Sequence, residues 1–538
     1  MAQAGLRCLF RPRALLCPCE PMRSISTSEL AQHGKAGDLW LAVDGDVYDV
    51  SKFAKVHPGG AKVLEQLAGN DVTTEFFELH RHDVLAKYAR LKVGRIASDS
   101  PECVEEMAGK ISSVPFAEIP AFQGQQSPYF KDSHRRFLQG VRAFVTKELV
   151  PIAAAQDLSG EHPDRELQGK LGMSGLMVTR MGPGPWLSQA VKMGVSIPGG
   201  VTPEEFDYFH EMIAHQEIAR LGLPGFIDCL GTGFLISAPA IHHFGDDAKR
   251  TGVGADLLCG KKWSALAISE PFAGSDVAGL RCTAEKTPDG KHFIVNGVKK
   301  WITEGCYADY FVTAVRTGGA GAAGISLLLV ERGEGLTTTQ IKTTYSTAAG
   351  TALVVYSDVK VPVGNLLGVE NDGFKLVMYN FNHERWMIVN NLLGQVRAAI
   401  TDSFLWAKQR KVFGKALIEQ PVIRNKLASC VAALESVQSF NEALTYDMIN
   451  SQDGPVGPRL AGPIAMLKYQ ATRVAWKVAD DTVQILGGRG ITRTGMGAKV
   501  EGLKNFAKYA AVYGGSEEIM ADLAIKQASR AFTATARL

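Results

Sequence analysis

The sequence predicts a multidomain α+β protein: a small mixed domain, then a large unit whose elements run helices, strands, helices. Three observations carry this. At 538 residues the chain exceeds what one hydrophobic core supports, which points to roughly three or four packed units. Apolar spacing is helical over 129–262, changes to short runs rich in Val, Ile, Phe and Tyr over 263–365, and is helical again over 366–538. Ahead of these, two apolar runs joined at Asp44-Gly45, a pairing suited to a tight hairpin turn, open a compact domain over 25–96.

Taken in order, residues 1–24 form a basic leader. Arg7, Arg11, Arg13 and Arg23 stand against one acid, Glu20, with Ser24 and Ser26 following, which is the bias of a mitochondrial presequence. At the other end, Ala536-Arg537-Leu538 is a conservative variant of the Ser-Lys-Leu peroxisomal signal. The tripeptide is the more specific of the two, so the peroxisome is favoured over the mitochondrion. Residues 97–128, with Pro, Ser, Gly and Glu and no steady periodicity, read as an exposed linker. Gly319 to Gly324 fits the Gly-x-Gly-x-x-Gly dinucleotide pattern, but the strand-like ISLLLV follows where a helix is needed, so it reads as a hairpin loop.

Composition narrows the function. Hydrophobic residues make up 46% and charged residues 21%, with a formal charge of +3 and no Lys/Arg run interleaved with aromatics, so nucleic acid is not an expected partner. No unbroken apolar stretch approaches bilayer-spanning length, and no transmembrane segment is expected. Nine scattered cysteines form no disulfide framework and fit a reducing compartment. Cys17 and Cys19 lack a second nearby pair for zinc.

The small domain carries a metal-ligand pattern. In VHPGGAKVLEQLAGNDVTTEFFELH, His57 sits in a Pro-Gly-Gly turn and His80 follows 23 residues later. Gly59 and Gly60 let backbone approach a flat group, and Val63, Leu64, Leu67 and Phe76 supply an apolar wall. Two opposed imidazoles satisfy a six-coordinate haem iron. The segment resembles cytochrome b5 over roughly 25–96, which implies haem b with His57 and His80 as iron ligands. His82, two residues on, is the alternative second ligand. The spacing to His80 is similar to that in flavocytochrome lactate dehydrogenases, where such a domain is fused to a flavin domain.

In the large unit, ALAISEPFAGSDVAGLRCTAE and VNGVKKWITEG resemble the acyl-CoA dehydrogenase family, and the resemblance runs from about Tyr129 to the C-terminus. It implies an N-terminal helical domain, a middle β-barrel-like domain, a C-terminal four-helix bundle, and FAD. It also implies that Ile268 and Ser269 meet the flavin pyrimidine edge and that Ser275 reaches a phosphate or the CoA arm. Trp301 would wall the isoalloxazine and Thr303 would bond near flavin N5. Arg410 and Phe413, with Gln484, Gly487 and Gly488, look like the positions that hold FAD across a subunit interface, which implies a homodimer or homotetramer. Two departures weaken the adenosine end: Pro421 stands where the family often has Gln, with Gln420 one place earlier, and the stretch from Ile491 to Val512 is about three residues longer than a simple alignment wants.

The base must remove the α proton of an acyl thioester while the β hydride goes to flavin. Many family members place that Glu just before a Gly-Thr pair near the C-terminus. Here the segment is Tyr513-Gly514-Gly515-Ser516, and Gly514 occupies the position. The long-chain and isovaleryl branches instead use a Glu followed by Arg, and this chain has Asn382-His383-Glu384-Arg385 there. Glu384 is therefore the expected base. The Gly514 N–H would polarise the thioester carbonyl, Asn382 and Arg385 would contact substrate, and Ser516 with Glu518 would start a helix near the flavin. The expected activity is oxidation of a saturated fatty or branched-chain acyl-CoA to the trans-2-enoyl-CoA. Electrons would pass through the fused haem to an electron-transfer flavoprotein, a cytochrome or oxygen. An acyl-CoA oxidase, or an inactive haem- or acyl-CoA-binding protein, remains open at this point.

Overall fold

The computed structural model describes residues 23–80, 82–96, 109–452, 454 and 457–532. Residues 1–22 of the basic leader and the terminal tripeptide lie outside these residues. The chain divides into two compact units, Met1–Pro101 and Glu102–Leu538.

The first unit is a five-stranded sheet with short helices. Strands β1 (Ser24–Ile25), β2 (Gly34–Lys35), β3 (Asp38–Val43), β4 (Asp46–Asp49) and β5 (Lys92–Ile96) lie in the order β1-β5-β4-β3-β2. Asp44 and Gly45 both take positive φ, 54° and 78°, as a tight turn joining β3 to β4 requires. Helices α1 (Thr27–Gln32), α2 (Ala61–Leu67), α3 (Thr73–Leu79) and α4 (His82–Lys87) accompany the sheet. Leu39, Leu41, Val43, Tyr48 and Val50 form the core, and Phe53, Leu64, Leu67 and Phe76 pack on it half-buried.

The second unit runs helices, sheet, helices. Helices α5 (Asp132–Phe144), α6 (Val150–Ser159), α7 (Arg165–Met173), α8 (Pro185–Lys192), α9 (Tyr208–Ala219), α10 (Pro224–Asp228), α11 (Thr232–Phe244), α12 (Asp247–Thr251) and α13 (Val253–Leu258) come first. The stretch Pro224–Phe244 is apolar and long enough to cross a membrane by composition, unlike the sequence expectation. It is 94% buried within the protein and broken between α10 and α11, so its apolar character is that of a core segment.

Strands β6 (Ser264–Ala267), β7 (Thr283–Lys286), β8 (His292–Ile302), β9 (Tyr310–Arg316), β10 (Ile325–Glu331), β11 (Leu336–Gln340), β12 (Ala352–Pro362) and β13 (Leu366–Leu367) make one sheet. Its order is β11-β12-β8-β7-β9-β10-β13, with β6 beside β9. Asn296-Gly297 reads in sequence as a break between two strands, yet both lie inside β8, where the pairing with β12 slips between Tyr356 and Val359. A Cβ on Gly297 would stand 2.7 Å from the Cys282 Cα, so this glycine permits a close approach of strands. The Gly319 to Gly324 segment joins β9 to β10, which pair antiparallel.

Helices α14 (Gly373–Gln409), α15 (Pro421–Asn450), α16 (Pro458–Leu486), α17 (Ala498–Val512) and α18 (Glu517–Ala531) close the chain, with the two-residue strands β14 (Lys411–Val412) and β15 (Lys415–Ala416) between α14 and α15. One expectation needs correction. Residues 97–108 lie outside the described set, and within the rest of the supposed exposed linker the stretch 117–122 is packed, with Ala117, Ile119 and Phe122 buried, while 123–126 stay exposed. Glu118 is buried too, pairing with Arg142 at 2.6 Å and Arg220 at 2.7 Å, while Arg142 also holds Glu217 at 2.6 Å. A sequence without periodicity can still be tied down by charges that only the fold brings together.

Candidate active site and haem site

In the first unit, His57 follows the short turn Ala54–Val56, and His80 caps α3. The His57 Nδ1–H donates to the Gly60 carbonyl at 3.1 Å, and the His80 Nδ1–H to the Phe76 carbonyl at 3.1 Å. A carbonyl can only accept, so both rings keep the Nε2 lone pair for a metal. The ring centres lie 6.1 Å apart, and two imidazoles about 2 Å from one shared metal ion put their centres roughly 6 Å apart. Burial, the largest cause, holds the His80 pKa below its ordinary value, against the Phe76 carbonyl and with help from His57. A neutral imidazole is the ligating form. Phe76 stacks on His80 at 4.6 Å, and Phe53 meets His57 edge-on at 5.8 Å. These residues fit a haem. The His82 side chain lies outside the described residues.

In the second unit, β8 and the turn after β6 build one wall. Lys299 is fully buried; its Nζ donates to the Ile268 carbonyl at 3.0 Å and to Glu270 Oε1 at 2.8 Å. Glu270 accepts in turn from the Arg281 and Cys282 N–H groups at 2.7 and 2.9 Å. This clamp sets the 268–271 turn, and the Lys300 N–H reaches the Ser269 carbonyl at 2.8 Å. Ile268 is buried, Ser269 half-buried and Ser275 exposed. At the end of β8, Trp301 takes φ 68° and stays 53% exposed. A non-glycine residue in left-handed backbone, holding an indole outward, is a feature to expect at a ligand site. Thr303 beside it is half-buried, and Glu304 (φ 60°) is buried, accepting from the Gly231 N–H at the start of α11 at 2.9 Å. The fit to a flat, partly apolar group is good at this wall.

Helix α14 supplies the carboxylate. Glu384 is buried, and the Asn380 amide donates to its Oε1 at 3.0 Å. Burial pushes its pKa up to about 7, opposed by Asn380, Arg385 and His383. That is the range in which a general base works best near neutral pH. Arg385 Nε donates to the Gly514 carbonyl at 3.2 Å and its guanidinium to Asn382 Oδ1 at 3.3 Å. Gly514 has φ 66°, and a Cβ there would lie 2.5 Å from Ile388 Cδ1, one turn beyond Glu384. The structure thus gathers Asn382, Glu384, Arg385 and Gly514. Ser516 is the N-cap of α18, its hydroxyl accepting from the Ile519 N–H at 3.4 Å, and Glu518 is exposed in the first turn.

A third group stands at the far end of α14. Arg410 lies 26 residues after Glu384, about 39 Å along the helix axis at 1.5 Å per residue. Arg410 and Arg489 both lie over Trp406, at 5.9 and 4.5 Å. Phe413, at φ 51°, is 95% exposed on the β14-β15 turn, and Gln484, Gly487 and Gly488 are exposed after and within the end of α16.

Sequence reasoning missed Lys299, Glu304 and Lys468. The last donates to the Tyr513 carbonyl at 2.7 Å and the Gly515 carbonyl at 2.6 Å. A signal was present: Lys468 occupies the same stripe of α16 as the buried Ile464, Ala471 and Ala475, where a lysine is out of place unless partnered.

Family models match three segments: acyl-CoA dehydrogenase, C-terminal domain, over 371–529; acyl-CoA dehydrogenase, middle domain, over 265–359; and cytochrome b5-like heme/steroid binding domain over 26–97. Acyl-CoA dehydrogenase apdG of Emericella nidulans is 40% identical over 429 residues, 79% of this chain and 97% of that protein. The mitochondrial long-chain specific acyl-CoA dehydrogenase of Sus scrofa is 29% identical, covering 74% of this chain and 87% of its own length. Butyryl-CoA dehydrogenase of Megasphaera elsdenii superposes with TM-score 0.65 at 26% identity, over 75% of this chain and all of that one. Acyl-CoA dehydrogenases carry FAD and cytochrome b5-like domains carry haem, and the two walls described above fit those groups. The chain belongs to the acyl-CoA dehydrogenase family, an FAD-dependent oxidoreductase of acyl-CoA with a cytochrome b5-like domain on its N-terminal side.

Proposed function

We propose that this protein oxidises a saturated acyl-CoA to the trans-2-enoyl-CoA with Glu384 as the base and the haem domain as an electron relay. The observation that carries the reading is the buried Glu384 carboxylate, its pKa raised to about 7, on the helix whose next turn packs against Gly514. Glu384 takes the α proton as the β hydride leaves. The Gly514 N–H donates to the thioester carbonyl and so acidifies that proton, and Arg385 and Asn382 orient the CoA side. FAD, when bound, supplies the two-electron acceptor for the hydride, and haem a one-electron acceptor between His57 and His80.

The group of Arg410, Phe413, Gln484, Gly487 and Gly488 is too far from Glu384 along α14 for one FAD to touch both. It fits the FAD of a second copy, and the exposed Phe413 on its turn is the part that would reach across. This supports a homodimer or homotetramer. The terminal tripeptide supports a peroxisomal address.

The test is anaerobic mixing of the holoprotein with a panel of straight and branched acyl-CoAs. Flavin bleaching by at least one of them is expected in the wild type and is lost in Glu384→Gln with FAD retained. An unchanged bleaching rate in Glu384→Gln removes the base assignment. Stoichiometric hydrogen peroxide in air, with the haem left oxidised, favours an oxidase instead.

A further inference from the structure

The three carbonyls of the segment that replaces the commoner base are all held by cations. Lys468 Nζ donates to the carbonyls of Tyr513 and Gly515, and Arg385 Nε to that of Gly514. No peptide bond among the described residues is cis. In a trans peptide the N–H points opposite the carbonyl of the preceding residue. Gripping the Tyr513 carbonyl therefore turns the Gly514 N–H away from Lys468, and gripping the Gly515 carbonyl does the same for Ser516. Gly514 and Gly515 both have positive φ, 66° and 97°, so neither side-chain sterics nor regular helix would otherwise hold this orientation.

We propose that Lys468 is a positioning residue for the dehydrogenation: its ammonium, bonded to the carbonyls on either side of Gly514, aims the Gly514 N–H at the acyl thioester carbonyl and strengthens it as a donor. The inference rests on the reading above that Gly514 is that donor. A cation at the carbonyl end of a peptide polarises it and makes the N–H at the other end a better donor in a poorly hydrated site. Lys468 is only 1% exposed. The charged groups that face it are Arg385 from α14, which repels it, and Glu517 from the start of α18, which attracts it. Burying a lysine beside an arginine is costly, and Glu517 with the two carbonyls offsets only part of that cost, so stability alone gives no reason for it. A plain helix C-cap does not account for it, since Lys468 bonds Tyr513 and Gly515, beyond the end of α17, while the capping bond of that helix is the Tyr513 N–H to the Tyr509 carbonyl.

The readout is polarisation of a bound thioester, which needs no proton abstraction. The probe is an enoyl-CoA conjugated to a dimethylaminophenyl ring, whose absorption moves to the red when its carbonyl accepts a strong hydrogen bond. It is added to the Glu384→Gln holoprotein and to the same protein carrying Lys468→Met. A red shift in the first, and loss of most of it in the second with FAD content unchanged, is expected. In the Glu384 background, Lys468→Met should lower kcat by about tenfold to a hundredfold with little change in KM, and Lys468→Arg, which keeps the charge, should retain most of the shift. A full red shift in Lys468→Met overturns the proposal, as does a Lys468→Arg shift as small as that of Met. If Lys468→Met loses FAD, Lys468→Gln takes its place under the same criteria. Loss of FAD from both neutral variants makes Lys468 a structural clamp and also overturns it. Absence of any shift with Lys468 intact would instead sink Gly514 as donor, and the base assignment at Glu384 is read separately from flavin bleaching.

Discussion

Replacing Glu384 by Gln should stabilise the dehydrogenase unit while abolishing flavin reduction, and the stabilisation should depend on pH. The carboxyl is buried and its pKa stands at about 7 against an ordinary 4.5, chiefly through desolvation. A carboxyl whose pKa is raised on folding binds its proton more tightly in the folded state. The folded protein is therefore progressively penalised as pH rises above the unfolded value, until the group ionises in the fold as well. A gap of 2.5 units at 1.36 kcal/mol each comes to about 3 kcal/mol. Gln keeps the shape and an oxygen for the Asn380 amide, but it has no charge to bury. At pH 4.5 the two proteins should unfold at nearly the same temperature. The variant should gain steadily through pH 5 to 7 and level off near pH 8 at roughly 3 °C for a unit of this size. Thermal unfolding followed by circular dichroism across that pH range is the assay. Parallel curves for the two proteins would refute the claim that a buried carboxyl with a raised pKa sits at 384, whatever the activity shows.

In stopped flow, the wild-type rate of flavin reduction should climb with pH through about 7, because only ionised Glu384 accepts a proton. A flat profile would remove that group from the rate. Moving the base to the commoner position, with Gly514→Glu in Glu384→Gln, should not rescue activity: the new side chain meets Ile388 at 2.5 Å and needs φ 66°. Overpacking of this kind costs about 1–3 kcal/mol; adding Ile388→Ala should relieve it, and rescue without that change would show the site to be looser than described. His57→Ala should leave flavin bleaching intact and abolish the later haem reduction, which fails as a prediction if wild-type haem stays oxidised beside fully reduced flavin. Deleting Ala536 to Leu538 should displace a tagged protein from peroxisomes, whereas a shift seen only on removing residues 1–21 would favour the mitochondrion.

Fold class and family can be read from the amino-acid order alone, because their signals are local. The Pro-Gly-Gly turn at His57, the Asp44-Gly45 hairpin, and the ALAISEPFAGSD and VKKWIT segments each depend on neighbours a few residues away. The order of helices, strands and helices is written in apolar spacing. The absence of Glu at 514 and its presence at 384 could also be read directly. The relations between distant segments emerge only in the folded chain. Residues 109–128 look like linker because nothing in them is periodic, yet Glu118 is buried against Arg142 and Arg220. Asn296-Gly297 looks like a turn until β12 and Cys282 show it to be a slip within one strand. Lys468 is a lysine in an apolar stripe until the loop 45 to 47 residues onward brings its carbonyls within 2.7 Å. A buried charge is tolerable only where the fold delivers its partners, and those partners come from parts of the chain that no local pattern connects.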